Sequence, residues 1–451
     1  MMEPGSLAEA VTRHRRGDLD GAELLYRTVV SARPDDAEAH RWLALLLHQR
    51  GRDAEACELL ERAVILAPAS VELHVARAIV LRGLGAREAA RSAAEKALSL
   101  DARVAAASTV LALLASESGD LVAAAAHYRE AARQAPEVRD THHNLGVVLA
   151  RMGRDEEAIA AYRRALAIDS HHAPALGNLA NLLRRNDAHD EALALYRRLQ
   201  ELEPSSGLAR HMTAALSGER VARCPADYVS RLFDECADDF DEHLVDRLEY
   251  GTPALLVALL LECATPAERA AVRTDPPSRA GEEPAGGRRF DSVLDLGCGT
   301  GLAGRVIRPH CGRLTGIDLS ARMIAHAERT GLYDALVVGD VLDAPALAET
   351  DWDLALAADA APYVGDLAPW VRAVGASRSR RLWLAFSVEV PTRPTDDYVL
   401  SHNGRFAHDA RHVRRVATDA GFVVRASRRA TLRREGDGVV AGDLWVLSRS
   451  S

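Results

Sequence analysis

The chain has a single lysine, Lys96, among its 56 basic residues, so almost all of its positive charge is carried by arginine. Acidic residues outnumber basic ones and the formal net charge is −9, which does not point to a nucleic acid or an anionic membrane as a partner. No apolar run reaches the ~18 residues of a membrane span, and residues 1–16 lack the apolar core of a secretory signal. We therefore expect a cytoplasmic protein.

Cysteine is also scarce, and the cysteines lie far apart in the sequence. No pair has the C-x-x-C spacing of a metal site, and the chain lacks the dense cysteine framework of small secreted domains. We expect free thiols in a reducing compartment and no bound metal. The six are Cys57, Cys224, Cys236, Cys263, Cys298 and Cys311.

The first half of the chain has an internal period of 34 residues, present in six copies that are in phase. One series of small residues comprises Ala10, Ala44, Ala78, Ala112, Gly146 and Ala180, and a second comprises Ala22, Ala56, Ala90, Ala124, Ala158 and Ala192. A glycine series comprises Gly17, Gly51, Gly85, Gly119 and Gly153, with Asp187 in the sixth copy. Four copies close with a proline, at Pro34, Pro68, Pro136 and Pro204.

Each copy is predicted to form two helices joined by a turn. The small residues let the two helices approach closely, glycine supplies the left-handed backbone that ends the first helix, and proline ends the second. The pattern resembles the tetratricopeptide repeat family over residues 3–206, and the resemblance implies a superhelical stack. Residues 207–219 are predicted to form the solvating terminal helix that such stacks need.

The stack indicates a possible protein or peptide partner. Asn144, Asn178, Asn181, Arg184 and Arg185 fall at groove-facing positions of first helices, where the asparagines either hold a peptide backbone or simply follow the repeat pattern. The carboxylate clamp of chaperone-binding repeats is not reproduced. Adjacent histidines point in different directions on a helix, so no metal site is expected at His142, His143, His171 and His172.

The length of the chain suggests about three domains, and its middle is predicted to hold a helical cap and an insertion. Phe233, Phe240, Leu244 and Leu248 recur at helical spacing, and a second helix should follow Pro253. Residues 263–289 are rich in proline, glycine, arginine and glutamate, which cannot bury a core, and they are predicted to be disordered. The predicted domains are residues 3–216 for the repeats with their terminal helix, 217–262 for linker and cap, and 290–451 for an α/β domain.

Apolar runs alternate with helical segments in the last 160 residues or so. Such runs are typical of strands that are covered on both faces, and their alternation with helices predicts a doubly wound parallel sheet. A helix is predicted over residues 409–420. The predicted strands are residues 291–296, 313–318, 335–340, 353–358, 381–387, 422–426 and 444–448.

A glycine-rich sequence, VLDLGCGTG, includes the end of the first predicted strand and the loop after it. Gly297, Gly299 and Gly301 allow a ligand to approach the backbone closely. Leu302 stands where a dinucleotide fingerprint needs its third glycine, which weighs against a diphosphate. Asp295 places a carboxylate beside this loop, and a carboxylate suits the ammonium group of a methionine moiety.

Two further carboxylates lie at the ends of the next two predicted strands. Asp318 is placed where it could accept hydrogen bonds from both hydroxyls of a ribose, and Asp340 lies where an adenine amine would come close. One such aspartate alone could be a helix N-cap. Three carboxylates at three successive strand ends, beside a glycine loop, together indicate a site for S-adenosyl-L-methionine.

These motifs resemble class I methyltransferases. A bacterial family of methyltransferases with N-terminal tetratricopeptide repeats is similar at an FD-x-x-A-x-x-FD-x-HL segment from Phe233 to Leu244, at F-S-x-E from Phe386 and at G-R-[FY]-A-H from Gly404. The resemblance implies a seven-stranded Rossmann-like sheet of order 3-2-1-4-5-7-6, with the seventh strand antiparallel and a helical cap before it. The implied cofactor residues are Asp295, Gly297, Gly299, Gly301, Asp318, Leu319, Asp340, Val341 and Asp359.

The methyl acceptor is expected over strands four and five, because the cofactor takes the ends of strands one to three. His408, Glu389 and Tyr363 are the preferred catalytic candidates there, each with a structural alternative, and His408 could simply cap the helix that follows it. Asp359, Tyr398 and Arg405 are further candidates, and Arg405 would suit a carboxylate acceptor as a cationic clamp.

Three functions remain open from the sequence. The first is methyl transfer to an oxygen or nitrogen of a small polar molecule, with the repeats used for docking or self-association. The second is methylation of a protein that the repeats deliver to the site. The third is a cofactor-binding adaptor without activity, against which the intact glycine loop and Asp318 argue.

Overall fold

A computed structural model describes residues 6–238, 240–241, 250–264, 289–342, 352–379, 381–393, 395–435 and 438–450. The chain forms two compact units, residues 1–186 and 187–451. Most of the predicted insertion, together with Leu244 and Leu248 of the predicted cap, lies outside the described residues. Within the described ranges, no helix has both the length and the apolar character that crossing a membrane requires.

The first unit is a series of helical hairpins. Its helices are α1 (Leu7–Arg15), α2 (Leu19–Ala32), α3 (Ala37–Gln49), α4 (Asp53–Leu66), α5 (Val71–Gly83), α6 (Arg87–Leu100), α7 (Ala105–Glu117), α8 (Leu121–Gln134), α9 (Arg139–Arg151), α10 (Asp155–Ile168) and α11 (Ala173–Arg185). The predicted helical repeats are confirmed.

The turn inside each hairpin has the left-handed backbone that the glycine series predicted. The φ angles of Gly17, Gly51, Gly85, Gly119 and Gly153 lie between 72° and 82°. Asp187, in the sixth copy, adopts the same conformation with φ 59° although it carries a side chain, and aspartate is one of the few residues that tolerate it.

The small residues of the period lie where two helices touch. Ala10, Ala22 and Ala44 are fully buried. At Gly146 a Cβ atom would stand 2.6 Å from Cε1 of Tyr162, so a larger residue there would force the Tyr162 ring to shift.

Hydrogen bonds within the first unit help to decide whether its asparagines bind a peptide or have a structural role. Asn144 is hydrogen-bonded to the side chain of Tyr128, and Asn178 to that of Tyr162. Asn178 Nδ2 lies 3.1 Å from Nε2 of His143 as well. These asparagines are used inside the array, between the second helix of one repeat and the first helix of the next, which favours a structural role over peptide binding.

The second unit contains eight described helices. They are α12 (His189–Leu202), α13 (Gly207–Ser217), α14 (Ala226–Cys236), α15 (Thr252–Cys263), α16 (Leu302–Ile307), α17 (Ala321–Arg329), α18 (Leu367–Gly375) and α19 (Ala410–Asp419). Its strands are β1 (Phe290–Leu296), β2 (Cys311–Asp318), β3 (Ala335–Val338), β4 (Leu354–Ala357), β5 (Arg381–Glu389), β6 (Tyr398–Leu400), β7 (Phe406–His408), β8 (Val423–Glu435) and β9 (Gly438–Ser450).

The sheet has the predicted topology. Strands β3, β2, β1, β4 and β5 are parallel neighbours in this order, β9 runs antiparallel beside β5, and β8 pairs with β9 at the edge. Since β8 and β9 are the predicted sixth and seventh strands, the order 3-2-1-4-5-7-6 is confirmed. The sequence did not predict the short hairpin of β6 and β7, which joins the end of β5 through the pair Glu389 and Ala407.

Apolar residues cover both faces of the sheet, as the continuous strand runs predicted. One face packs Trp370, Val413 and Trp445 into a cluster with α18 and α19. The other face packs Leu256 and Ile307, from α15 and α16, against Leu314. Helices on both faces leave the carboxyl ends of the parallel strands as the open edge, where ligands bind in such folds.

Helix α13 is present where the terminal helix was expected, but its role differs. Ala209, Met212 and Ala215 are buried, and His211 Nε2 donates to the carbonyl oxygen of Gly404 at 2.8 Å. The helix therefore packs on the loop between β6 and β7, within the second unit, instead of presenting a solvated outer surface.

Candidate functional site

The glycine loop after β1 is tied to the neighbouring strand. The backbone N–H groups of Gly297 and Cys298 both donate to the carbonyl oxygen of Ile317, at 2.8 and 3.0 Å. Gly297 and Gly299 are left-handed, with φ 71° and 55°, and a Cβ atom on Gly297 would stand 3.1 Å from Cβ of Ala360. Side chains here would be strained, and their absence keeps the backbone accessible to a ligand.

Asp318, at the end of β2, supports this loop and faces a cavity. Its Oδ2 accepts from the N–H of Gly299 and its Oδ1 from the N–H of Ser320, each at 2.9 Å. Burial raises the pKa of the Asp318 carboxyl, against the opposing effect of these N–H groups.

Asp340, after β3, has two hydrogen-bond partners among the described residues. Its Oδ1 accepts from the N–H of Leu342 at 2.8 Å, and its Oδ2 accepts from Nη1 of Arg223 at 3.2 Å. Arg223 belongs to the segment between α13 and α14, where the sequence predicted no site residue.

A cavity with an empty volume of ≈ 930 Å³, including its mouth, joins these strand ends. Of the nine predicted cofactor residues, seven line it: Gly297, Gly299, Asp318, Leu319, Asp340, Val341 and Asp359. We call the part formed at the ends of β1, β2 and β3 the donor side.

Asp295 and Gly301 are not among the residues that line the cavity. The Tyr333 hydroxyl donates to Oδ2 of Asp295 at 2.7 Å, and a Cβ atom on Gly301 would stand 3.2 Å from the Tyr333 ring. Oδ1 of Asp295 is buried without a hydrogen-bond partner among the described residues, and burial raises the pKa of this carboxyl to about 7. Both residues therefore face Tyr333 and do not line the cavity.

The cap closes over the donor side through its aromatic residues and aspartates. Phe233 and Phe240 line the cavity. Asp234 Oδ1 accepts from the Ser320 hydroxyl at 2.5 Å, and Asp241 accepts from the Thr300 hydroxyl. The FD-x-x-A-x-x-FD segment thus supplies two rings to the cavity and two carboxylates that fasten the cap to the loops after β1 and β2.

The ends of β4 and β5 form what we call the acceptor side. Asp359 and Tyr363 line the cavity here, and the Tyr363 ring lies edge-on to Phe233, with ring centroids 5.3 Å apart. Burial raises the pKa of Asp359 to about 6, although the nearby Arg405 opposes this effect. Tyr250 also lines the cavity and was not predicted.

Behind Asp359 lies a buried charge network that does not line the cavity. Oε1 of Glu389 accepts from Nη2 of Arg433 and lies 3.4 Å from Nη1 of Arg405. The side chain of Arg433 is 1% exposed, and its Nη1 lies 3.6 Å from Oδ1 of Asp359. Glu389 is therefore held by two guanidinium groups, and Arg405 has an acidic partner rather than presenting a free positive charge.

Arg433 was missed because its strand changes register. The pairing of β8 with β9 shifts between Thr431 and Arg433, and Leu432 and Arg433 are consecutive buried residues. A β-bulge at this point turns a side chain inward that simple alternation would place in solvent. The predicted sixth strand, residues 422–426, also stops short of Arg433, whereas the observed strand continues to Glu435.

The surroundings of His408 do not support the prediction that it serves the acceptor. The ring is fully buried, and its Nε2 lies 2.8 Å from the carbonyl oxygen of Val364 and 3.0 Å from that of Gly365. Nε2–H therefore holds β7 to the turn after β4, and burial lowers the pKa of His408 to about 4. The cap of α19 is Asp409, whose side chain accepts from the N–H of Arg411, so the capping alternative for His408 is wrong.

Comparison with known proteins identifies repeats and a methyltransferase domain in the chain. Residues 7–71 and 75–139 match one tetratricopeptide repeat model, residues 137–204 match another, and residues 293–375 match a methyltransferase domain model. A malonyl-[acyl-carrier protein] O-methyltransferase from Enterobacter lignolyticus is 43% identical over 67 residues, which are 15% of this chain and 26% of that protein. The chain thus spans about a quarter of the length of this relative.

Two solved structures are similar to part of the chain. PilF of Pseudomonas aeruginosa is 17% identical with a TM-score of 0.41, covering 46% of this chain and 95% of its own. A thermophilic repeat protein of Thermus thermophilus is 24% identical with a TM-score of 0.33, covering 40% of this chain and 98% of its own. The chain combines tetratricopeptide repeats with a methyltransferase domain.

Proposed function

We propose that the second unit transfers a methyl group from S-adenosyl-L-methionine to an oxygen or nitrogen of a small polar molecule. The observation that carries this proposal is one cavity in which glycine backbone, Asp318 and Asp340 meet from three successive strand ends. The cofactor would supply a methyl group on a sulfonium centre, which is already a good leaving group.

The donor side fits this cofactor without needing a phosphate site. Asp318 would accept hydrogen bonds from the ribose hydroxyls, and Asp340 would accept one from the adenine amine. The rings of Phe233 and Phe240 would exclude water from the methyl group, and alignment with exclusion of water is most of what such a transfer requires.

The charges on the acceptor side favour a methyl acceptor that can itself donate a hydrogen bond. Asp359 is the carboxylate at the cavity wall, whereas Arg405 is paired with Glu389 behind it. A hydroxyl or protonated amine needs such a proton acceptor. A carboxylate acceptor would need a free cation, so this charge arrangement weighs against Arg405 as a clamp.

The repeats are proposed to dock a protein or a second copy of the chain. The asparagines bonded inside the array remove the main argument for a peptide-backbone groove, so delivery of a protein acceptor by the repeats is the second candidate. A cofactor-binding adaptor is the third, and a cavity that joins donor and acceptor sides argues for turnover.

Two measurements test the proposal. Calorimetric titration should show binding of S-adenosylmethionine and S-adenosylhomocysteine, and preference for NAD over both would overturn the assignment. Labelled S-adenosylmethionine incubated with the enzyme and host extract should then place label on small molecules. Label that runs with protein would select the second candidate, and no enzyme-dependent transfer would select the adaptor.

A further inference from the structure

The segment joining α13 to α14 is pinned onto the turn after β4. The carbonyl oxygen of Ala222 accepts from the N–H groups of Gly365 and Asp366, both at 2.8 Å. The N–H of Cys224 donates to the carbonyl oxygen of Tyr363 at 3.0 Å, and Arg223 pairs with Val364 as an antiparallel bridge. The backbone of Arg223 is therefore fixed on the acceptor side.

The side chain of Arg223 reaches the opposite side of the cavity. Its Nη1 donates to Oδ2 of Asp340 at 3.2 Å, at the end of β3. In the sheet, β2 and β1 lie between β3 and β4. Arg223 thus links the turn after β4 to the end of β3 along the edge where the glycine loop lies, and both members of the ion pair line the cavity.

Stability is a poor explanation for this ion pair. The Arg223 side chain is 45% exposed, and exposed ion pairs contribute little to folding because solvent screens them. What the pair does achieve is to hold a planar guanidinium at the cavity wall, next to the carboxylate proposed to accept from the adenine amine. Guanidinium groups pack well on flat aromatic rings.

We propose that Arg223 is a cofactor-binding residue whose guanidinium, anchored on Asp340, packs on the face of the adenine base. This inference rests on the proposed function, because it takes S-adenosylmethionine as the ligand. It assigns adenine recognition in part to the segment before the cap, outside the glycine loop and the three strand-end carboxylates.

The test compares Arg223→Ala and Arg223→Lys with a control from the same segment. Arg220 pairs with Asp397 and Tyr398 and does not line the cavity, so Arg220→Ala removes an arginine without touching the site. Calorimetry would measure Kd for S-adenosylhomocysteine and for methylthioadenosine, which keeps the adenine nucleoside but lacks the amino-acid part.

Arg223→Ala should weaken both ligands about tenfold, because both carry the adenine. Arg223→Lys should behave like Arg223→Ala since an ammonium has no plane to stack, and Arg220→Ala should change nothing. Unchanged affinity in Arg223→Ala, or full affinity in Arg223→Lys, would overturn the inference. A wild-type chain that binds neither S-adenosylmethionine nor S-adenosylhomocysteine would instead overturn the proposed function.

Discussion

The donor and acceptor sides of the cavity are built in different ways. Donor-side groups come from a glycine loop and two aspartates, each at the end of its own strand or within two residues of it, so their positions depend on local sequence. On the acceptor side, Asp359 follows β4 and lies in front of three charged residues from other elements. These are Glu389 at the end of β5, Arg405 in the β6–β7 hairpin and Arg433 in β8. A site of the first kind is visible in a sequence, whereas one of the second kind exists only after folding.

We expect the largest effect on stability when the chain is shortened so that α13 is lost. A chain beginning at Asp187 keeps α12 and α13, whereas one beginning at Ala222 loses the helix that packs on Gly404. Met212 alone is 1% exposed, and losing one such side chain costs about 2–5 kcal/mol. We expect residues 222–451 to be insoluble or partly unfolded, and residues 187–451 to bind S-adenosylhomocysteine. Equal melting temperatures for the two would show that α13 does not support the acceptor side.

Removing Arg433 should be the most damaging single substitution. Arg433→Met leaves Glu389 buried with only the more distant Arg405, and an uncompensated buried charge costs about 3–5 kcal/mol. Denaturation can be followed by tryptophan fluorescence, because Trp352, Trp370, Trp383 and Trp445 lie in the second unit. The double substitution with Glu389→Gln should recover part of the loss. If Arg433→Met is as stable as wild type, the network does not hold the acceptor side.

Substitution of His408 tests whether this residue has a structural or a catalytic role on the acceptor side. His408→Ala should lower the free energy of unfolding by about 2–4 kcal/mol, because it leaves a cavity and two carbonyl groups without their donor. Affinity for S-adenosylhomocysteine should stay within about twofold of wild type. His402→Ala, at an exposed position in the same unit, is the control and should change neither quantity. A stable His408→Ala protein would contradict this role.

The same histidine should make the second unit sensitive to acid. The pKa of His408 is lowered from 6.5 to about 4, so between these values the unfolded chain binds a proton that the native state does not. Stability is therefore lost as the pH falls through this window, by ~3 kcal/mol at most. His408→Gln should flatten the acid side of the stability curve measured by urea denaturation. A curve parallel to that of wild type would mean that other groups cause the acid loss.

The features that could be predicted from the sequence are those that short-range residue patterns determine. The 34-residue period located the helical hairpins, and the apolar runs located the strands of the sheet. The sheet order with its antiparallel seventh strand was implied by the resemblance to class I methyltransferases, and the structure confirms it. It did not predict that Asp295 turns to Tyr333, because the direction of a side chain beside a loop depends on the helix and strand packed behind it. Nor did it predict Arg433 or Arg223, since a β-bulge and a single β-bridge place these side chains by contacts across the sequence.

The smallest effect should come from the donor side, where one carboxylate is removed without opening the core. Asp318→Ala should weaken S-adenosylmethionine and S-adenosylhomocysteine by about 10–150-fold, because hydrogen bonds to a charged acceptor are worth about 1.5–3 kcal/mol. Asp359→Ala should leave S-adenosylhomocysteine affinity within about twofold if the two sides are separate. Asp396→Ala, with a side chain 81% exposed, is the matched control for calorimetry and should bind like wild type. Equal losses in Asp318→Ala and Asp359→Ala would mean that the cofactor extends over the end of β4, and the acceptor would then have to lie closer to Tyr363 and Tyr250.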